Sequence, residues 1–208
     1  MVRLAELFSV LILISAVLNA GSPFIKFGIK LYSFQSLMLA LYTLMVALYS
    51  NTSALYLSFL FIILFKVVII PYFLFNTLKR VEIKREIDLA LGIPESVLFA
   101  GSLTLLSNII AERVIKTTVT FGSLIFTISL ATFLIGAMLM ITRKTLFSQI
   151  IGFLTIDNAI FLAGNSFTHG MPLLVEFGVL FDLLAAVLIL SLIIIHIKKS
   201  SLKTGLRS

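Results

Sequence analysis

The sequence predicts an all-α membrane protein with about seven transmembrane helices. Hydrophobic residues make up 60% of the 208 residues and charged residues only 12%, and the mean hydropathy of +1.18 is far above that of a soluble globular domain. Nearly the whole chain also divides into mostly apolar runs of about 20 residues, the length of a helix that crosses the hydrocarbon core of a bilayer. We therefore expect the bilayer to be the main solvent of this chain.

Each predicted helix is an apolar run bounded by a short polar or basic connection. The spans are Leu4–Ala20, Lys30–Tyr49, Ala54–Leu78, Glu95–Ile110, Thr117–Ile141, Thr145–Ala163 and Leu173–Ile197. The first span resembles a signal peptide, but no clean small-x-small cleavage site follows it, so we expect it to stay as a helix. The fourth span is the shortest. The helices form an N-terminal four-helix region, residues 1–116, and a C-terminal three-helix region with a short basic tail, residues 117–208.

The basic residues lie mostly on one predicted face of the membrane. Most of the 16 lysines and arginines occupy the odd-numbered connections and the C-terminal tail: Lys26, Lys30, Lys79, Arg80, Lys84, Arg85, Arg143, Lys144, Lys198, Lys199, Lys203 and Arg207. The opposite face has only Arg3, Arg113 and Lys116. The positive-inside rule then predicts a multi-pass protein of the cytoplasmic membrane, with its N-terminus outside and its C-terminus in the cytoplasm.

The composition argues against several classes of function. Without cysteine the chain can form no disulfide and no thiolate-ligated zinc or iron–sulfur site, so any electron carrier must belong to another subunit. The net charge of +7 does not predict nucleic-acid binding, because the basic residues form short clusters between apolar runs. No catalytic motif is visible, so we expect a non-catalytic chain with no cofactor and no metal. No two glycines stand four residues apart, so no Gly-xxx-Gly helix pair is predicted.

We single out four ionisable side chains within the predicted helices for their depth in the membrane. Lys66 is at the centre of the third span, while Asp157 and Asp182 lie within roughly 5 Å of mid-membrane on the sixth and seventh spans. Glu176 lies about 9 Å further out on the seventh span. A charge at the bilayer centre costs roughly 2.5–3.5 kcal/mol on insertion scales, so partners, hydration or neutralisation must offset it. Function is the usual reason for such residues.

Two interpretations of these groups stay open. In the first, Lys66 pairs with Asp157 or Asp182 and statically holds two helices together. In the second, the groups form a lateral row that exchanges protons, and this explains the acids that a single pair would leave over. Gln35, inside the second span, can join the row or link helices by hydrogen bonds. Pro71 predicts a disturbed helix near Lys66, with freed carbonyls that could host water.

Several short motifs resemble a known family. The first two are Gln35-Ser36, within Tyr32–Leu39, and Lys66, within Phe65–Pro71. The third stretch, Arg143–Leu162, contains Gln149-Ile150-Ile151-Gly152 and Asp157-Asn158. The fourth stretch, Pro172–Asp182, contains Leu174–Gly178 followed by Asp182. In spacing and residue type they resemble component E of hydrogenase-4 type complexes, which are relatives of formate hydrogenlyase and respiratory complex I. The last three predicted helices also resemble the three-helix subunit K of complex I and the C subunit of cation antiporters.

The resemblance implies a function for the buried acids. In subunit K, acids on the second and third helices belong to the axis that couples redox chemistry to ion pumping. Asp182 would match the third-helix acid. Asp157 stands where component E usually has Glu, whereas subunit K has its Glu about one turn earlier, where this chain has Leu154.

The resemblance therefore implies a non-catalytic membrane subunit beside antiporter-like subunits. Protons or Na⁺ would pass through Lys66, Asp157, Glu176 and Asp182, with Gln35 taking part. Two alternatives remain: a static scaffold in the same complex, and a self-standing secondary transporter. For the transporter we would expect an inverted repeat and broken helices, and the sequence contains neither signal.

Overall fold

The structure, a computed structural model, describes residues 2–51, 53–81, 91–118 and 123–168, and its elements there are helices. They are α1 (Val2–Ala20), α2 (Ile25–Ser50), α3 (Ser53–Phe61), a π-helical segment (Ile62–Ile69), α4 (Ile70–Val81), α5 (Ile93–Thr118), α6 (Ser123–Thr142) and α7 (Leu146–Thr168). The π-helical segment joins α3 to α4 without a break, so we call Ser53–Val81 the third spanning helix.

In the described part of the chain, six helices are long and apolar enough to cross a membrane. Their spans are Arg3–Ala20, Ile25–Ser50, Ser53–Lys79, Ile93–Val114, Ser123–Thr142 and Leu146–Asn165. They match the first six predicted spans in order, which confirms an all-helical, multi-pass membrane protein. The seventh predicted span, Leu173–Ile197, lies outside the described residues.

The largest boundary difference from the prediction concerns α5. The predicted span Glu95–Ile110 is part of a longer helix that continues to Thr118, and α6 begins at Ser123 instead of Thr117. The polar end of α5 stays helical because the backbone hydrogen bonds do not need an apolar side chain, and Asn108 donates to Glu112 one turn later. The helix therefore continues past the apolar run from which the span was predicted.

Helix α2 ends in a sharp turn at Asn51. This residue has a left-handed backbone, with φ 51° and ψ 35°, and its N–H donates to the Ala47 carbonyl at 2.9 Å. Asn is among the few residues other than Gly that adopt this conformation readily, and it commonly closes a helix in this way. The chain can therefore reverse direction within a very short connection and begin the third spanning helix at Ser53.

Helices α1, α2, α6 and α7 form the centre of the described bundle. Ile29 and Tyr32 of α2 pack with Ile151 and Leu154 of α7. On the other side, α1 packs with α6 through a second group of buried side chains that includes Ala16, Ala20, Ile135 and Leu139. Helix α5 lies outside α1 and α6, and only 17% of its spanning window is buried, against 61% for α7. Helix α7 is thus the most enclosed of the six spans.

Helices α6 and α7 touch through two glycines. A Cβ atom added at Gly136 would lie 2.9 Å from the Gly152 carbonyl oxygen, and one added at Gly152 would lie 2.9 Å from the Gly136 carbonyl oxygen. Because both obstacles are backbone atoms, neither position has space for a side chain. This close approach fixes α7 against α6 a little more than one turn before Asp157.

Candidate ion-pair site

A buried ion pair joins the third spanning helix to α7. Lys66 Nζ lies 2.7 Å from Asp157 Oδ2, and the two side chains are only 1% and 5% exposed. Asp157 is the middle residue of α7, and Lys66 lies next to the middle of the third spanning helix. The opposite charges offset part of the cost of burying each group at this depth. The structure therefore brings together two of the residues that the sequence singled out.

An amide on the next residue of α7 also contacts Lys66. The Lys66 ammonium donates to Asn158 Oδ1 at 3.1 Å, and its nitrogen lies 5.5 Å from the centroid of the Phe161 ring. Carboxylate, amide oxygen and aromatic face all favour a cation. Asp157, Asn158 and Phe161, one turn after Asp157, thus place three groups of α7 around the Lys66 ammonium.

The contact with Lys66 fixes the orientation of the Asn158 amide, and this orientation determines its hydrogen bonds to α2. Because an ammonium can only donate, the oxygen of Asn158 faces Lys66 and its nitrogen faces away. That nitrogen donates to Gln35 Oε1 at 3.2 Å and to Ser36 Oγ at 3.1 Å. Gln35 in turn donates from Nε2 to the Ile12 carbonyl of α1 at 3.3 Å. We call Gln35, Ser36, Lys66, Asp157 and Asn158 the polar cluster; its contacts connect four spans.

The π-helical segment explains how Lys66 is presented. At its end the Ile70 N–H donates to the Phe65 carbonyl, five residues back, instead of the four of an α-helix. The wider turn changes the direction of the side chains within it, and π-helical turns often occur at functional sites. Pro71 has no N–H to donate to the Val67 carbonyl. The Ser33 hydroxyl of α2 donates to this carbonyl instead, at 3.0 Å. The predicted disturbance near Pro71 is present, and a side chain satisfies that carbonyl.

The polar cluster includes three of the five predicted site residues: Lys66, Asp157 and Gln35. The other two, Glu176 and Asp182, lie outside the described residues. Sequence reasoning missed Asn158 as the link between Lys66 and Gln35, and it also missed the contact from Ser36. A usable signal exists, because Gln35-Ser36 and Asp157-Asn158 are pairs of adjacent polar residues near the middle of otherwise apolar helices.

The arrangement is suited to holding and moving charge. At 2.7 Å the Lys66 ammonium and the Asp157 carboxylate form an ion pair, but Asp157 Oδ2 has no hydrogen-bond partner among the described residues. A proton can therefore pass from Lys66 Nζ to Asp157 Oδ2, to give a neutral pair, only after a side-chain rotation that aligns the two groups. Asn158 and Gln35 keep their orientation in both states, since the neutral amine can still donate a hydrogen bond. Within the described residues, no group of three or more His, Asp or Glu residues could hold a metal ion.

Comparison of the chain with models of known protein families, with curated proteins and with solved structures gives no match. The function of the polar cluster therefore has to be argued from its own residues.

Proposed function

We propose that the chain is a non-catalytic membrane subunit of a hydrogenase-like or complex I-like assembly, in which the Lys66–Asp157 pair is one step of a proton or Na⁺ path. The redox centres and the antiporter-like subunits would belong to other chains of the assembly. The observation that supports this proposal best is the ion pair itself, buried halfway along two membrane-spanning helices.

Most of the stretches that resemble the family contribute residues to the polar cluster. Of the four stretches that resemble hydrogenase-4 component E, three contribute to the polar cluster: Gln35 and Ser36 from the first, Lys66 from the second, and Asp157 with Asn158 from the third. The fourth stretch contains Glu176 and Asp182. We propose that it belongs to a seventh helix, packed as in subunit K, and that these two acids continue the path beyond Asp157. The cytoplasmic membrane, with the N-terminus outside and the C-terminus inside, completes the proposed topology.

A purely static role accounts less well for the ion pair. Replacing a buried ion pair by apolar side chains of similar volume is often neutral or stabilising, so an apolar pair would hold the helices at least as well. The hydrogen bonds from Asn158 to Gln35 and Ser36 do favour the scaffold as a second candidate, since they connect helices without any charge. The self-standing transporter ranks third.

Purification of the tagged chain from its native membrane tests the family. We expect other membrane subunits to co-purify, together with proteins that carry Ni–Fe or iron–sulfur centres detectable by metal analysis. If the chain instead purifies alone and exchanges ions across proteoliposomes by itself, it is a secondary transporter and the proposal is wrong.

Neutralisation of Asp157 tests the ion path within the purified complex. For Asp157→Asn, whose amide oxygen can still accept a hydrogen bond from Lys66 where a Leu could not, we expect the complex to assemble with normal electron transfer to a soluble acceptor. Coupled ion movement per assembled complex should fall about tenfold or more. Glu95→Gln, the same chemical change on an exposed residue at the start of α5, should leave all three properties unchanged. Lost assembly would favour the scaffold, and normal ion movement would exclude Asp157 from the path.

A further inference from the structure

Helix α5 carries polar residues on an exposed face that adjoins its buried side. Four residues lie on one side of the helix because they follow one another at spacings of four, three and four residues: Gly101, Leu105, Asn108 and Glu112. All four are exposed, Leu105 to 70%. The buried side, with Ala100, Ser107 and Ala111, lies about 100° around the helix from these four residues.

The depth of this face makes its polar residues unusual. The spanning window of α5 is Ile93–Val114, so Asn108 lies about 7 Å and Glu112 about 13 Å beyond its centre, within the half-thickness of about 15 Å of a hydrocarbon core. Ionisable residues in transmembrane segments almost always face a protein interior or a water-filled cavity. Glu112 is close to the edge of the core, where its carboxylate can reach the headgroups. At the depth of Asn108, however, lipid offers no donor to the amide oxygen, which favours a protein neighbour there.

The chemistry of the face specifies what can cover it. Asn108 Nδ2 donates to Glu112 Oε1 at 3.1 Å, which leaves the amide oxygen and the second carboxylate oxygen without a donor among the described residues. Both atoms are acceptors, so the complement is a donor such as Arg, Lys or an amide. At Gly101 no atom lies within 4 Å of an added Cβ, so another helix can approach closely there.

We propose that this face of α5, formed by Gly101, Leu105, Asn108 and Glu112, receives a transmembrane helix of another membrane subunit with a basic or amide side chain opposite Asn108 and Glu112. This inference rests on the proposed function, because it requires a complex.

Two other occupants fit the charges less well. In a parallel symmetric dimer, Glu112 of one copy would face Glu112 of the other at the same depth, so like charges would meet. The predicted seventh span of this chain, Leu173–Ile197, contains Glu176 and Asp182 but no Lys or Arg. It would bring further acids to an acidic face.

Cross-linking from single cysteines tests the occupant directly. The natural chain has no Cys, so Leu105→Cys carries the only thiol and can be labelled with a thiol-directed photo-cross-linker in native membranes. We expect an adduct with a different membrane polypeptide, identified by mass spectrometry. Leu60→Cys, at a side chain that is 61% exposed on the third spanning helix, is the matched control and should not give this product. An adduct of two copies, a link to residues 173–197, or adducts with lipid alone would each overturn the proposal.

Polar-to-apolar variants test the chemistry of the contact. In the tagged complex, Asn108→Leu and Glu112→Leu should each lower the recovery of the cross-linked partner about three- to tenfold, as expected for loss of an interhelical hydrogen bond. Ser102→Ala is the control on the same helix, because that exposed hydroxyl donates to Phe99 of its own turn. Unchanged recovery in both Leu variants would contradict the inference. Failure of the proposed function would look different, because then no redox subunits co-purify even with the unaltered chain.

Discussion

Helices α7 and α5 both carry polar residues inside a membrane span, but they direct them to opposite sides. In α7, Asp157 and Asn158 point into the bundle, where Lys66, Gln35 and Ser36 bind them. In α5, Asn108 and Glu112 are exposed and bond to each other. The same residue types thus serve an internal site on one helix and an outward face on the other.

The number of polar residues in a span therefore says little about their function, whereas their burial says much. The difference between the two helices also provides matched controls, because α5 offers an exposed counterpart for several buried groups.

The largest effect is expected from removal of one partner of the ion pair. Asp157→Leu leaves the Lys66 ammonium buried without its carboxylate, which we expect to lower the free energy of unfolding by about 3–5 kcal/mol. Titration of the purified chain from mild detergent into SDS measures this loss. Glu112→Leu, on the exposed face of α5, should leave the stability of the isolated chain close to that of the natural sequence.

The double variant Lys66→Met with Asp157→Leu extends this test. Because it removes both charges together, we expect most of the lost stability to return, while coupled ion movement by the complex stays absent. A double variant that is stable and fully active would identify the ion pair as a static link. If Asp157→Leu alone is as stable as the natural chain, the pair contributes little to holding α7 in place.

An intermediate effect is expected at the contact between α6 and α7. Gly152→Ala places a Cβ atom 2.9 Å from the Gly136 carbonyl oxygen and from the Met140 backbone nitrogen, so the helices must move apart, at a cost of about 1–3 kcal/mol. The control is Gly101→Ala on α5, where no atom lies within 4 Å of the added Cβ. The same SDS titration compares the two; equal stability of both variants would mean that α6 and α7 adjust without strain.

The sequence was most informative where burying a single charged residue in the membrane costs much free energy. The central charges of Lys66 and Asp157 each need compensation, so their pairing could be considered from depth alone, and the structure contains it. Gln35 was predicted either to join the proton-exchanging row or to link helices by hydrogen bonds, and the structure contains such bonds to α1 and α7. Six apolar spans were likewise visible from their length and composition.

The sequence was less informative where a feature depends on how two helices meet. A search for glycines four residues apart within one helix finds nothing, yet Gly136 and Gly152 face each other from neighbouring helices. Asn158 was overlooked because an uncharged amide costs less to bury than a carboxylate. Its position beside Asp157 was visible in the sequence, but its contact with Gln35 depends on how α2 and α7 pack. The exposed direction of Asn108 and Glu112 likewise becomes visible only once α5 is packed on α1 and α6.

The smallest effect is expected at Ser33, whose hydroxyl donates to the Val67 carbonyl that Pro71 cannot reach. Ser33→Ala removes one interhelical hydrogen bond, so we expect a loss of about 1 kcal/mol or less in unfolding free energy. The more sensitive measurement is hydrogen–deuterium exchange of the Ile62–Ile69 amides, which should become faster because this bond helps to hold the π-helical segment. Ser102→Ala on α5 removes a hydroxyl that bonds only within its own turn, and it should not change exchange in that segment. If exchange there is the same in both variants, Pro71 and packing alone set the geometry of the segment. The hydrogen bond from Ser33 of α2 is then not needed to position Lys66 beside Asp157.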